Sequence, residues 1–384
     1  MTSVLPEAGL VVAPTSREEA AEVVRRAAAG GRPLILTGNG SQLGTIPLPG
    51  VGDWLSSRAL DRMVEHEPAD LTVTVEAGCT LSSLQAQLSR VGQFFPTDYA
   101  AAGTVGGMIA TGHAGPLALA HGGVRDRLLG ATVITADGAQ ARTGSRVVKS
   151  VAGFDLGKLY CGSYGTLVFI VEATLKVAPL AEAVVHVRWE GPAGTLLDAS
   201  VGLLNSAHRP QSLVAYSVAR ESGKPAGTVT VAARYAGRRE SIQEMLGHGG
   251  SVMGSPAAVT SDPSAGWAET SAIATDGGDI MILDLPPSCA PEMLRSAETD
   301  DLDAMVDLGT GQALVRGDAI PPRCVDILWR LAAEGGGTMR RRDAAGIVTW
   351  KRAGDPAARQ VMLALKNAFD PDDLFNRGLA EQML

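Results

Sequence analysis

Pro33-Leu-Ile-Leu-Thr37 running into Gly38-Asn39-Gly40-Ser41-Gln42-Leu43-Gly44, and then into Thr45-Ile-Pro-Leu-Pro-Gly50, is the stretch on which the fold turns. An apolar run of strand length that empties into a glycine loop points to a site for a nucleotide pyrophosphate. The spacing is G-x-G-x-x-x-G, one residue longer than the dinucleotide-binding turn, and no G-K-[ST] follows. Two prolines after the loop prevent a helix from opening there, so no helix dipole faces the loop. Two readings remain for this segment alone: a nest of backbone N–H groups that binds an anion, or a plain glycine-rich connection.

Upstream, Val11-Val-Ala-Pro14 reads as a short strand, and Ser16 with Glu19 forms a capping-box pattern opening a helix. Ala20, Val23, Val24 and Ala27 form its apolar face, and Gly30-Gly31 ends it. Downstream, Leu71-Thr-Val-Thr-Val75 alternates like a strand, Ala77-Gly78 breaks it, and Thr80 caps a helix carrying Leu81, Leu84 and Leu88. A second loop, Gly103-Thr-Val-Gly-Gly-Met-Ile-Ala-Thr-Gly-His-Ala-Gly115-Pro116, is built mostly of small residues, as a wall for a flat ligand would be. Ala131–Thr135 with the Asp137-Gly138 turn signals a hairpin. Gly162-Ser-Tyr-Gly165-Thr-Leu then leads into the strand Val168–Val171.

The 384-residue composition is that of an ordinary globular chain, and its length suits two cores. Its net charge of −8 and lack of a basic tract argue against nucleic acid as a partner. Arg340-Arg341-Arg342 is the one tight basic cluster, expected to be a solvated strand edge. The amino terminus has no basic n-region followed by an apolar core, and no apolar run spans a bilayer; a cytoplasmic location is expected. Cys79, Cys161, Cys289 and Cys324 are scattered and read as reduced, buried thiols. The six histidines, His66, His113, His121, His186, His208 and His248, form no H-x-H or H-E-x-x-H pair, so no metal site is expected. The absence of a G-x-S-x-G elbow argues against a serine hydrolase.

Taken in order, TGNGSQLG (37–44), PTDYAAAGTVGGMIATGHAG (96–115) and GSYGTLVFIVEATLKVAP (162–179) resemble the pyrophosphate loop, second flavin loop and closing strand of the vanillyl-alcohol-oxidase (PCMH) flavoproteins. Phe369-Asp-Pro-Asp-Asp-Leu-Phe-Asn-Arg-Gly378 is similar to the ending of the glycolate oxidase and D-lactate dehydrogenase branch, with Arg377 where a proline is usual. Within that branch, KSVAGFDLGKLYCGSYGTL is most similar to the FAD-binding E subunits of glycolate oxidases, with Phe154 in place of a tyrosine. The resemblance implies an α+β fold: a two-part FAD-binding domain (1–180, with 336–384 returning to it) and an inserted α+β cap (181–335). It also implies non-covalent FAD, since the first loop has no histidine for a tether.

On that resemblance, Thr37, Gly38, Asn39, Gly40, Ser41 and Gln42 are expected at the pyrophosphate, and Thr104, Gly106, Gly107, Ile109, Thr111 and Gly112 at the flavin. Gly162, Gly165 and Ile170 are expected near ribose and adenine, and Asn376 back near the flavin. His113 is the catalytic candidate, either facing the ring system as a proton donor to developing negative charge or lying at the loop edge. Asp126 is expected to anchor its loop, and Lys149 and Asp155 to pin theirs. The implied function is that of an FAD-binding subunit oxidising glycolate or another small 2-hydroxy acid, with a catalytic flavoprotein subunit and an iron–sulfur subunit as partners. A stand-alone FAD oxidoreductase and a non-catalytic flavin-fold scaffold are the alternatives.

Overall fold

The computed structural model describes residues 10–42, 46–47, 52–98, 101–112, 114–144, 156–219, 225–262 and 278–383. His113, Lys149, Phe154 and Asp155 lie outside these residues. The chain divides into two compact units, one formed by Met1–Ala114, Gly122–Leu180 and Asp355–Leu384, the other by Gly115–His121 and Ala181–Gly354. The second unit thus runs past the boundary at 335 and 336 expected from sequence. The physical reason is strand pairing, described below.

In the first unit, β1 (Val11–Val12), β2 (Leu34–Thr37) and β3 (Asp53–Ser56) form a parallel sheet in the order β1-β3-β2. Helix α1 (Arg17–Ala29) connects β1 and β2. The Ser16 hydroxyl accepts from the Glu19 N–H at 3.1 Å, but the Glu19 carboxylate reaches back to the N–H and hydroxyl of Thr15 rather than closing on Ser16. The cap is therefore one residue wider than the sequence pattern suggests. Ala20, Ala21, Val24 and Ala27 are buried with Leu34, Leu55, Phe169 and Phe375.

An antiparallel sheet in the order β4-β5-β9-β7-β8 holds the second core of this unit, from β4 (Met63–Glu67), β5 (Thr72–Glu76), β7 (Leu128–Ile134), β8 (Gln140–Gly144) and β9 (Phe169–Lys176). β6 (Gln93–Phe94) pairs with β10 (Ala178–Pro179) beside it. Helix α2 (Leu81–Ser89) is capped by the Thr80 hydroxyl and buries Leu81, Leu84 and Leu88, as the spacing of these leucines requires. The Asp126 carboxylate accepts from the Gly123 N–H at 3.0 Å and so anchors its loop.

The second unit is one nine-stranded antiparallel sheet, β14-β11-β13-β12-β16-β17-β15-β18-β19, with β11 (Ala183–Pro192), β12 (Ser212–Ser217), β13 (Thr228–Gly237), β14 (Ala258–Thr260), β15 (Asp279–Asp284), β16 (Asp303–Asp307), β17 (Gln312–Gly317), β18 (Thr338–Arg342) and β19 (Val348–Arg352). β18 pairs with β15 and β19 with β18, which is why this unit extends to Gly354. Val229, Val231, Ala233 and Tyr235 alternate along β13 into the core under helices Ala193–Leu204, Arg239–Met253, Ala290–Thr299 and Pro322–Glu334.

The three arginines of β18 are not a solvated edge. Arg341 donates to both oxygens of Asp279, which is 1% exposed, and to the Ile320 carbonyl. Arg340 lies 5.3 Å over the Trp350 ring. A run of like charges is legible in sequence, but its partners come from strands brought alongside by pairing.

His186, on β11, is 4% exposed, and burial followed by the Arg234 charge opposite pushes its imidazole down to about 4. Above the unfolded value of 6.5 the ring is neutral in both states and contributes nothing to the pH dependence. Between 6.5 and about 4 the unfolded chain takes up a proton that the folded chain refuses, so stability falls as pH falls. The unfolding free energy of the full chain, read from urea titrations, should drop across that window by up to about 1.4 kcal/mol per pH unit from this group. A His186→Gln chain should show a measurably shallower drop, and equal slopes would remove His186 from the account.

Candidate functional site

The first unit contains a half-open cleft lined by small, apolar and uncharged polar residues, the kind of lining that small-molecule and cofactor sites have. Three loops far apart in sequence line it: Leu36–Gln42 with Ile46, the Thr104–Thr111 region, and Tyr164–Ile170. Hydrogen bonds stitch the three together. The Asn39 side-chain amide donates to the Ala102 carbonyl at 3.1 Å, joining the first to the second. Gly162 N–H donates to the Ile109 carbonyl at 3.1 Å and Tyr164 N–H to the Ala110 carbonyl at 2.7 Å, joining the third to the second. The Ser56 hydroxyl holds the Gly38 carbonyl at 2.8 Å from below.

The second loop, read from sequence as a wall of small residues, contains a helix. Val105–Thr111 forms a short helix, α3, whose N-cap Thr104 accepts the Gly107 N–H at 3.1 Å and whose C-cap Gly112 is left-handed. Thr111 returns its hydroxyl to the Gly107 carbonyl at 2.9 Å. Small residues here serve close packing. A Cβ on Gly106 would lie 2.9 Å from the Ala77 Cβ, and one on Gly38 would lie 2.1 Å from the Thr104 hydroxyl oxygen. The hydrogen of Gly106 therefore faces β5 and its continuation, and its bareness lets α3 sit down on the sheet. Ala77 donates its N–H to the Val171 carbonyl at 2.9 Å, and Glu76 before it is 2% exposed. Burial pushes that carboxyl up, but hydrogen bonds from the Arg62 side chain and N–H outweigh it and leave the group below its usual range.

Thr37, Gly38, Asn39, Gly40, Ser41, Gln42, Thr104, Gly106, Gly107, Thr111, Gly165 and Ile170 are brought together around the cleft. Ile109 is not at its surface: it is fully buried in the core beneath α3. Gly112 and Gly162 pack against each other, with room for a Cβ on Gly112 only 2.9 Å from the Gly162 nitrogen. Asn376 is 4% exposed and stands behind the cleft wall. Residues that the glycine pattern did not single out also line it, among them Leu36, Ser57, Ala110, Tyr164, Val168 and Phe169. For Leu36, Val168 and Phe169 the signal was their position at strand ends flanking the loops. Ser57 had none, since its place depends on β3 pairing with β2.

No Asp, Glu, Lys, Arg, His or Cys lines the cleft among the described residues. An anion there meets only neutral donors. The N–H groups of Asn39, Gly40 and Ser41 give no hydrogen bond to any acceptor among the described residues, in a loop turned by Gly40 at φ 75°. Successive unpaired amides around a left-handed residue suit a pyrophosphate. The apolar wall of Leu36, Ile46, Val168, Phe169 and Ile170 suits flat rings that need to be kept from water. The residues present fit an FAD.

Comparison with known proteins agrees with this geometry. Residues 8–144 match the family described as FAD binding domain. "Glycolate oxidase subunit GlcE" of Escherichia coli (strain K12) is 37% identical over 172 residues, 44% of this chain and 49% of that protein. "Glycolate oxidase subunit GlcD" of Bacillus subtilis (strain 168) is 34% identical over 46% of this chain and 38% of its own length. "Probable D-lactate dehydrogenase, mitochondrial" of Danio rerio is 34% identical over 51% of this chain and 41% of its own length. The matches thus span about half, or less, of these relatives. Among solved structures, an alkyldihydroxyacetonephosphate synthase superposes with a TM-score of 0.71 over 96% of this chain and 76% of its own, at 16% identity, a likeness of fold. Residues 8–144 carry an FAD-binding domain of the PCMH type, in a fold that mixes helix and sheet. FAD is its cofactor.

Because Gly38 and Thr104 meet face to face, Gly38→Ala should abolish FAD retention on gel filtration while far-ultraviolet circular dichroism stays near wild type. Adding Thr104→Ala removes the clashing oxygen and should restore part of the retention, a non-additive pair. Retention by the single Gly38→Ala chain would place the cofactor elsewhere.

Proposed function

We propose that this chain is an FAD-dependent oxidoreductase acting on the CH–OH group of a small 2-hydroxy acid, working in the cytoplasm as the FAD-binding subunit of a glycolate-oxidising complex. One observation carries the reading: two of the three loops of the uncharged cleft lie within residues 8–144, which match the FAD binding domain, in a chain similar to glycolate oxidase subunits and to D-lactate and D-2-hydroxyglutarate dehydrogenases. Bound FAD supplies a two-electron acceptor for the hydride of an alcohol. The protein's part is to hold and surround it. Amides of the Gly38–Gln42 loop bind the pyrophosphate, the hydroxyls of Thr104 and Thr111 hold the bend of α3, and the Val168–Ile170 wall excludes water. His113 is the catalytic candidate, its ring N–H a donor to negative charge that develops as the substrate is oxidised.

A 2-hydroxy acid also needs a cation for its carboxylate and a base for its hydroxyl proton. The cleft lining described offers no charged side chain. A partner flavoprotein subunit is therefore proposed to complete the reaction, with an iron–sulfur subunit to carry electrons away. The second reading, a stand-alone dehydrogenase, draws on the likeness to single-name D-lactate dehydrogenases. No helix among the described residues is long and apolar enough to cross a membrane.

The test is anaerobic addition of glycolate to the isolated FAD-loaded chain, watched by absorbance. Bleaching is expected to be slow or absent alone and fast once the partner subunits are added. Fast bleaching by the isolated chain would favour the stand-alone enzyme, and none in the full complex would remove glycolate. His113→Gln should slow bleaching in the complex without releasing FAD.

The same cleft lacks histidine and cysteine among its described lining residues, so the FAD is proposed to be held without a covalent bond. Acid precipitation should leave the yellow colour in the supernatant. Colour in the washed pellet would show a tether.

A further inference from the structure

Asn376 belongs to no wall of the cleft, yet it touches two of them. Its Oδ1 accepts the Leu36 N–H at 2.9 Å, and its Nδ2 donates to the Tyr164 carbonyl at 2.7 Å. Leu36 is two residues before the first loop, and Tyr164 begins the third. The backbone of Asn376 also donates to the Leu34 carbonyl at 2.9 Å, and Phe375 bridges Leu34 in parallel, so the chain end extends the β2 edge. Gly165 lies against this contact. A Cβ there would meet the Asn376 Nδ2 at 2.9 Å and the Leu36 Cβ at 3.3 Å, and its φ is 69°.

Asn376 is itself held in an uncommon conformation, φ 44°, by the turn before it. That turn is wound around one carboxylate. Asp370 accepts the N–H groups of Leu374 at 2.8 Å and Phe375 at 2.7 Å, and faces the Lys366 ammonium at 2.5 Å. The ammonium, on the Pro356–Phe369 helix, also donates to the carbonyls of Phe375 at 3.0 Å and Thr166 at 3.1 Å. Thr166 is two residues beyond Tyr164, so the same cluster grips the third loop from its other side.

We propose that Asn376 is a positioning residue for the cofactor: it sets the separation of the first and third loops, and the Lys366–Asp370 pair sets Asn376. The role rests on the cleft being the FAD site, and it makes the chain end and the cofactor thermodynamically linked although they do not touch. A group that only stabilised the fold would lower the melting temperature without changing FAD affinity beyond that loss. A group that sets loop spacing changes the affinity of the folded protein directly.

The experiment uses the full chain, with FAD affinity from flavin fluorescence titration and amide exchange of the apo protein read by mass spectrometry. Asn376→Ala removes two hydrogen bonds and should raise the FAD Kd about tenfold or more. It should also speed exchange in peptides covering Leu36–Gln42 and Tyr164–Gly165. Asn376→Asp keeps an acceptor for Leu36 but sets a carboxylate oxygen against the Tyr164 carbonyl, so its Kd should rise at least as far, and Asn376→Ser, which shortens the side chain and keeps a hydroxyl, decides the matter if neither of these chains folds. Leu88→Val, a core change on α2 outside the three loops and chosen for a similar loss of melting temperature, should leave the Kd within about twofold of wild type. An unchanged Kd in the Asn376 chains that fold, or an equal rise in Leu88→Val, overturns the role. If the wild-type chain binds no FAD, the cofactor reading fails instead, and the loop exchange of the apo variants alone judges the positioning role: unchanged exchange overturns it.

Discussion

Lys366 is 3% exposed, and the turn from Asp370 to Phe375 is closed around its ammonium. A buried charge is tolerated only when its lost hydration is replaced. Here the replacement is complete in kind: two carboxylates, Asp370 at 2.5 Å and Asp373 at 2.8 Å, and two backbone carbonyls. Because those acceptors come from the chain end and from the third loop, neutralising one cation closes the returning segment onto the first unit. Ala181–Gly354, all of the second unit but Gly115–His121, is inserted in the sequence between the two parts thus joined.

The same economy of means runs through the cleft. The anion binding proposed for it draws on amides left without acceptors among the described residues, and its shape on glycines at points of closest approach. Gly38 leaves room for Thr104, and Gly106 leaves room for Ala77. The hydroxyl of Thr104 that crowds Gly38 is also the N-cap of α3. One atom therefore sets both the end of a helix and the spacing of two loops. A site built from such contacts binds a large, neutral-walled cofactor well, and supplies few groups for acid–base work. This division agrees with a chain that holds FAD and shares the chemistry of substrate oxidation with others.

The second unit follows a different logic. Its sheet buries one face under helices and carries a smaller apolar cluster of Tyr216, Ala232, Ile280 and Leu314 besides, and two of its acidic residues are paired with arginines across strands. Asp279 with Arg341 and Asp303 with Arg316 are ion pairs between residues 62 and 13 positions apart. His186 stays neutral because burial, then Arg234, opposes its charge. These pairs specify register, since a one-residue slip would turn every one of them to the opposite face.

Sequence alone determined what depends on local pattern and on residue type. The caps of α1 and α2, the leucine face of α2, the hairpin at Asp137-Gly138 and the three glycine loops were legible because capping, periodicity and positive φ act over a few residues. It did not determine that Val105–Thr111 is helical, since glycine-rich segments have weak helix propensity and this one is held by a cap and by the sheet beneath it. Nor could it separate lining residues from supporting ones: Ile109 turns into the core while Thr111 faces the cleft, and Asn376 stands behind the wall. The ion pair of Arg341, the extension of the cap sheet through β18 and β19, and the grip of Lys366 on Thr166 were likewise invisible. Each joins residues through strand pairing or burial across tens to hundreds of positions, and only the folded chain decides which partners meet.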